Sequence, residues 1–137
     1  MSKLSRILCM SLIIATLSLS TVHTASAQPS VALHGRNISL SFSALGILGV
    51  PMDWWLVVAN GAPIYYFYNL MWQTAPDVSS LQPALQADAV DFSNIEIELP
   101  TAITTGDTGT VYFGVDFTQN NLLDLGSLVV GVEDYQF

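Results

Sequence analysis

The chain has 137 residues, 51% of them hydrophobic and only 10% charged, with 11 Asp and Glu against 3 Lys and Arg for a formal charge of −8. Two of the three cations are Lys3 and Arg6, so residues 28–137 set Arg36 alone against all eleven carboxylates, a charge of −10. Such a surface repels nucleic-acid phosphates and anionic lipid headgroups, which disfavours both as partners and makes divalent cations or a basic partner the natural counterparts.

The chain opens with a short positive start at Lys3 and Arg6, an apolar run from Ile7 to Leu19, and the small-residue sequence Ala25-Ser26-Ala27. That layout predicts a secretory signal peptide over residues 1–27. Its apolar run is too short to span a bilayer. The expected product, residues 28–137, is a single secreted or periplasmic domain with no membrane span, large enough for one core. The single cysteine, Cys9, falls in the signal, so no disulfide supports the domain. All fourteen aromatic residues fall after it, which suits a dense β-rich core.

Helical periodicity is weak after residue 27, and strand-like runs recur between Gly, Pro, Asn and Asp clusters. Val31 to Phe42 reads as one strand or a pair. Ala44 to Met52 is apolar but interrupted by Pro51 and Asp53, and reads as a buried loop or strand. Trp54 to Ala59 follows, and the turn signal Asn60-Gly61-Ala62-Pro63 leads into Ile64 to Tyr68. Trp72 to Asp91 is less regular. Phe92 to Leu99 alternates, with Ile95, Ile97 and Leu99 on one face and Asn94, Glu96 and Glu98 on the other. Thr110 to Thr118 alternates likewise, with Val111, Phe113, Val115 and Phe117 opposite Thr110, Tyr112 and Asp116, and Leu128 to Tyr135 closes the series. About seven short, half-buried strands predict an all-β fold, an antiparallel immunoglobulin-like sandwich. Without a Cys–Trp–Cys framework, it is not an antibody-type domain.

The segments PMDWWLVVAN, IYYFYNLMWQ and TGTVYFGVDFTQNNLLDLGSL carry a likeness that spans roughly residues 53–137. In these the chain resembles an uncharacterised β-sandwich module of secreted bacterial proteins. The resemblance implies an extracellular or periplasmic domain and no particular activity. Two departures from its pattern are Asn121, where the loop has glycine, and the ending VGVEDYQF, where the module has a tyrosine-rich strand.

The strongest candidate for chemistry is Asp116 to Ser127. An EF-hand-like loop supplies oxygens from positions 1, 3, 5, 7, 9 and 12. Here these are Asp116, Thr118, Asn120, the Leu122 carbonyl, Asp124 and Ser127, with Asn121 at the turn. Lacking the bidentate glutamate, such a loop binds Ca²⁺ weakly, on the order of 10⁻⁴–10⁻³ M. Glu133, Asp134 or Asp53 could add an oxygen. The alternative is a hairpin loop whose Asp and Asn cap their own backbone.

A second candidate is a binding surface of Trp54, Trp55, Tyr66, Tyr68 and Trp72. Neighbours on a strand face opposite ways, so one of Trp54 and Trp55 reaches the surface unless both faces are covered. Exposed aromatic rings stack on sugars or bury a partner's apolar side chains, which points to a protein or glycan of the envelope.

Glu96 and Glu98 stand about 6.6–7 Å apart along a strand, a glycosidase-like separation, but on a polar face they read as solvated. His34 is the one histidine after the signal, and no nucleophile elbow, zinc-ligand set or phosphate-binding glycine loop occurs. Asn37-Ile38-Ser39 forms a glycosylation sequon that matters only in a eukaryotic secretory pathway. The sequence therefore describes an exported non-catalytic module, binding or structural. A self-assembling or adhesive subunit is the alternative, since SLSFSALGILGV and LVVANGAPIYYFY are β-prone and lack lysine gatekeepers. A small outer-membrane barrel fits less well. Tyr135-Gln136-Phe137 has an aromatic-x-Phe ending, but Glu133 would then face lipid.

Overall fold

The computed structural model describes residues 27–61 and 63–136. The signal-peptide expectation for residues 1–27 falls almost wholly outside them, as do Cys9 and Phe137. The fold is an antiparallel β-sandwich.

The described residues form nine strands in chain order: β1 (Ala27–His34), β2 (Asn37–Ala44), β3 (Pro51–Ala59), β4 (Ile64–Tyr68), β5 (Met71–Ala75), β6 (Leu85–Asp88), β7 (Phe92–Glu98), β8 (Thr108–Asp116) and β9 (Leu128–Gln136). The smaller sheet runs β1-β2-β7. The larger runs β5-β4-β3-β8-β9, with β6 paired to the first half of β3. This is the strand order of an immunoglobulin-type sandwich, with β4 and β5 extending one sheet as in variable domains. In those domains the fourth strand of the smaller sheet lies beside the counterpart of β7. Here the strand at that place in the chain, β6, crosses to β3 instead.

The Val31 to Phe42 run is a hairpin, β1 and β2, turned at Gly35 with φ +62°. His34 sits at its tip, paired with Asn37. The irregular stretch after Trp72 contains β5, a single 3₁₀ turn (Val78–Ser80) and β6, which accounts for the extra strands. Ala44 to Met52 is less buried than its composition suggests. It turns at residues 45–49 with Leu45 and Leu48 exposed, and only Ala44 and Met52 lie in the core.

The main core lies between the sheets. Ile38, Leu40 and Phe42 from β2 meet Met52, Trp54, Leu56 and Val58 from β3, and Val111, Phe113 and Val115 from β8. Each large side chain fully buried here contributes roughly 1.5–3 kcal/mol. Trp54 is the hub, with its ring centroid 4.8 Å from Phe42, 5.6 Å from Phe92 and 6.2 Å from Phe113. Simple alternation in β7 would turn Phe92 away from Ile95 and Ile97. A bulge intervenes: Asn94 has φ +56° and the β2–β7 register slips between Leu40 and Phe42. That extra residue brings Phe92 onto the core face.

A second apolar cluster covers the outer face of the larger sheet. Trp55, Ala75, Leu81 and Leu128 are buried there beneath the 76–84 segment and the β8–β9 loop. Both faces of β3 are therefore dry, and its burial is nearly continuous from Met52 to Ala59.

Candidate functional site

Asp53 of β3 and Asp116 of β8 are direct partners in the β3–β8 pair, and both are fully buried. A buried carboxylate is tolerated only when donors surround it, and these two divide the donors of the β8–β9 loop. Asp53 accepts the backbone N–H of Asn120 at 3.1 Å and of Asn121 at 2.9 Å on Oδ2, and the Gln86 amide at 2.7 Å on Oδ1. Asp116 accepts Thr118 N–H at 2.9 Å and the Ser127 hydroxyl on Oδ1, and Asp124 N–H at 2.8 Å on Oδ2. Burial, the largest influence, pushes the Asp116 carboxyl above its ordinary range, and the bonds from Ser127, Thr118 and Asp124 work against it.

The other expected loop ligands are also engaged. Asn120 Oδ1 accepts Leu122 N–H at 2.9 Å, while Asn120 Nδ2 donates to Asp124 Oδ2 at 2.8 Å. Thr118 Oγ1 lies 3.2 Å from Ser127 Oγ. Asn121 takes the left-handed conformation, φ +64°, at the position where the loop pattern has glycine. The structure thus brings Asp116, Thr118, Asn120, Asp124 and Ser127 into one network, with the exposed Leu122 beside it. Its carboxylates face N–H and O–H donors. Asp53 holds the loop from outside its own segment, across 67 and 68 residues of sequence. Among the described residues no three acidic, histidine or cysteine side chains gather into a metal-holding group.

The expected aromatic surface divides. Trp54 and Trp55 are buried on opposite faces of β3, because the 76–84 segment covers the outer face, so neither belongs to an exposed patch. Trp54 donates its indole N–H to the Ala87 carbonyl at 3.0 Å. Trp55 Nε1 has no partner among the described residues. Trp72 is half-buried, edge-on to Phe67 at 5.2 Å, and donates to the Glu98 carbonyl at 2.8 Å, which ties β5 to the end of β7. Only Tyr66 and Tyr68, 6.4 Å apart, remain as a partly open aromatic pair.

No family model, curated protein or solved structure matches this chain. What it can do therefore rests on its own geometry.

Glu96 and Glu98 lie exposed on β7, and Glu98 pairs with Arg36 at 3.5 Å. Arg36 also donates to the carbonyls of Ile103 at 2.6 Å and Pro100 at 2.9 Å, so the one cation beyond residue 6 clamps the turn after β7.

Sequence reasoning missed an open apolar groove of about 320 Å³ between β6 and β7. Its floor is core: Trp54, Leu56 and Phe113. Its rim carries exposed Leu70, Leu85 and Ile95. The groove exists because β6 pairs with β3 rather than β7, which leaves the sandwich open along that side. The signal in the sequence is faint, a string of spaced apolar residues (Ala84, Leu85, Ala87, Val90) in a stretch without clean periodicity.

Proposed function

We propose that residues 28–137 act as an exported, non-catalytic binding module of the cell envelope or extracellular space. The observation that carries this reading is the apolar groove, whose rim exposes Leu70 at 87% and Leu85 at 57% of their full surface. Isolated domains hide such strips unless something covers them. The non-catalytic part is supported by the buried carboxylates: Asp53 and Asp116 spend their oxygens on loop donors, not on a cleft. Export is supported by the predicted signal peptide and by the resemblance of residues 53–137 to a module of secreted bacterial proteins.

The loop that the sequence offered to Ca²⁺ reads best as a self-capped structural element, since donors already face its carboxylates. Self-assembly is the second reading, favoured by the edges of β5 and β7, which no further strand pairs among the described residues.

Fractionation of the native cells with N-terminal sequencing tests export. The expected form starts at Gln28 and leaves the cell interior, and recovery of the intact Met1 form from the cytosol would overturn it. Cross-linking in intact cells followed by mass spectrometry tests binding. The expected result is one dominant envelope component joined near the groove. Joining only to further copies of the chain would favour self-assembly.

A further inference from the structure

The smaller sheet ends at β7, and no strand among the described residues pairs with its outer edge. Antiparallel parity fixes which backbone groups face that edge. Leu99 N–H bonds the Arg36 carbonyl at 2.9 Å, so residues 97 and 95 also turn toward β2, while the Glu98 carbonyl faces away and meets Trp72. By the same alternation, the N–H and C=O of Glu96 point into the open side, beside the groove that Leu85, Ala87, Ile95 and Ile97 line.

The charges around this edge have one sign. Asp88, Asp91 and Glu96 are exposed near it, and the only Lys or Arg beyond residue 6, Arg36, is committed to Glu98 and to carbonyls. A second copy of the chain would bring carboxylates against carboxylates, which destabilises facing strands. A basic segment would meet opposite charge.

We propose that the edge of β7 and the β6–β7 groove together form a docking site for an extended peptide segment that alternates basic and apolar residues and adds to the smaller sheet as a fourth strand. Its backbone pairs with Glu96, its apolar side chains enter the groove, and its cations meet Asp88 and Glu96. Strand addition of this kind takes affinity from the main chain and specificity from alternate side chains. This inference rests on the binding-module reading and names the chemistry of its partner.

The test uses the full chain as its cells process it, with an alternating Lys–Val octapeptide as probe and a Glu–Val octapeptide as control. Saturating Lys–Val peptide is expected to slow amide exchange at Glu96 by about tenfold or more and to change the fluorescence of Trp54 on the groove floor. The Glu–Val peptide is expected to do neither. Glu96→Pro removes the outward N–H without touching a β2 bond, a change that edge positions accept, and abolishes the fluorescence response to Lys–Val. Glu96→Gln with Asp88→Asn keeps the N–H and weakens binding by about tenfold, a difference that high salt erases. Unchanged exchange with Lys–Val, or equal slowing by both peptides, would overturn the proposal. So would slowing that grows with protein concentration alone, which marks a second copy as the occupant. If the envelope component is captured equally by wild type and Glu96→Pro, the groove falls and the module stands. If Lys–Val binds as described but nothing in the envelope is captured, the groove stands and the module reading falls.

Discussion

Asp53 and Asp116 face each other across the β3–β8 ladder, fully buried, and each holds a different part of the loop between β8 and β9. Asp53 grips the tip at Asn120 and Asn121, and Asp116 grips the two ends at Thr118, Asp124 and Ser127. The two carboxyl groups sit side by side with six donors from backbone and side chains around them.

Removing one grip strands its donors. Asp53→Ala leaves two backbone N–H groups and the Gln86 amide without their acceptor, at a cost of about 2–4 kcal/mol. Chemical denaturation reads the loss, and amide exchange shows faster opening at Asn120 and Asn121 than in the sandwich core.

Calcium supplies a direct check on the loop. With its carboxylates turned to donors, the protein is expected to melt at the same temperature in EDTA and in excess Ca²⁺. A Tm that rises with calcium concentration would restore the ion as a partner of Asp116 and Asp124, because ligand linkage raises stability by mass action.

Gly131 marks the seam where β1 packs along β9. A Cβ there would lie 2.7 Å from the Pro29 carbonyl oxygen, whereas one on Gly126 meets nothing. Gly131→Ala is expected to lose about 1–3 kcal/mol by forcing β1 outward, and Gly126→Ala to stay within about 0.5 kcal/mol of wild type. Urea midpoints of the two variants give the comparison.

Alkaline pH acts through Tyr135. Burial, with the charge of Asp107 and then Tyr65 behind it, pushes its phenol from 10.0 up to about 12. Between those values the unfolded chain has released a proton that the folded chain still holds, so stability falls as pH rises. The contribution is complete below pH 10 and gone above about 12. Tyr135→Phe is expected to flatten the denaturation midpoint across that window. Asp116, also raised by burial, has the same sign in acid: stability declines as pH climbs from its ordinary value of 3.8 toward its folded one.

The alternation of Ile97 and Leu99, and of Val111, Phe113 and Val115, placed their faces correctly because each strand keeps one face on the central core, while Ile95, on the same face of β7, lies exposed at the groove rim. Phe92 broke that rule, since only the left-handed Asn94 carries it across the pleat. Trp55 was legible as facing away from Trp54, but not as buried, because its cover comes from the 76–84 segment, whose packing leaves no periodic trace. The loop network was legible for its local members. Asp53 entered only as a spare oxygen, because its tie to residues 120 and 121 is a matter of topology and not of spacing. The groove was illegible for a related reason. Whether β6 joins β3 or β7 depends on competition between sheets, and either pairing satisfies the same short string of residues.

The tie from Asp53 to residues 67 and 68 positions downstream also sets an order of events during folding. The β8–β9 loop cannot adopt its final shape until β3 and β8 have paired, and closing a span of that length is slow compared with forming a local hairpin. Protection of the Asn121 amide in a pulse-labelling experiment would therefore act as a clock hand, arriving with the last assembled molecules and not with the first collapsed ones.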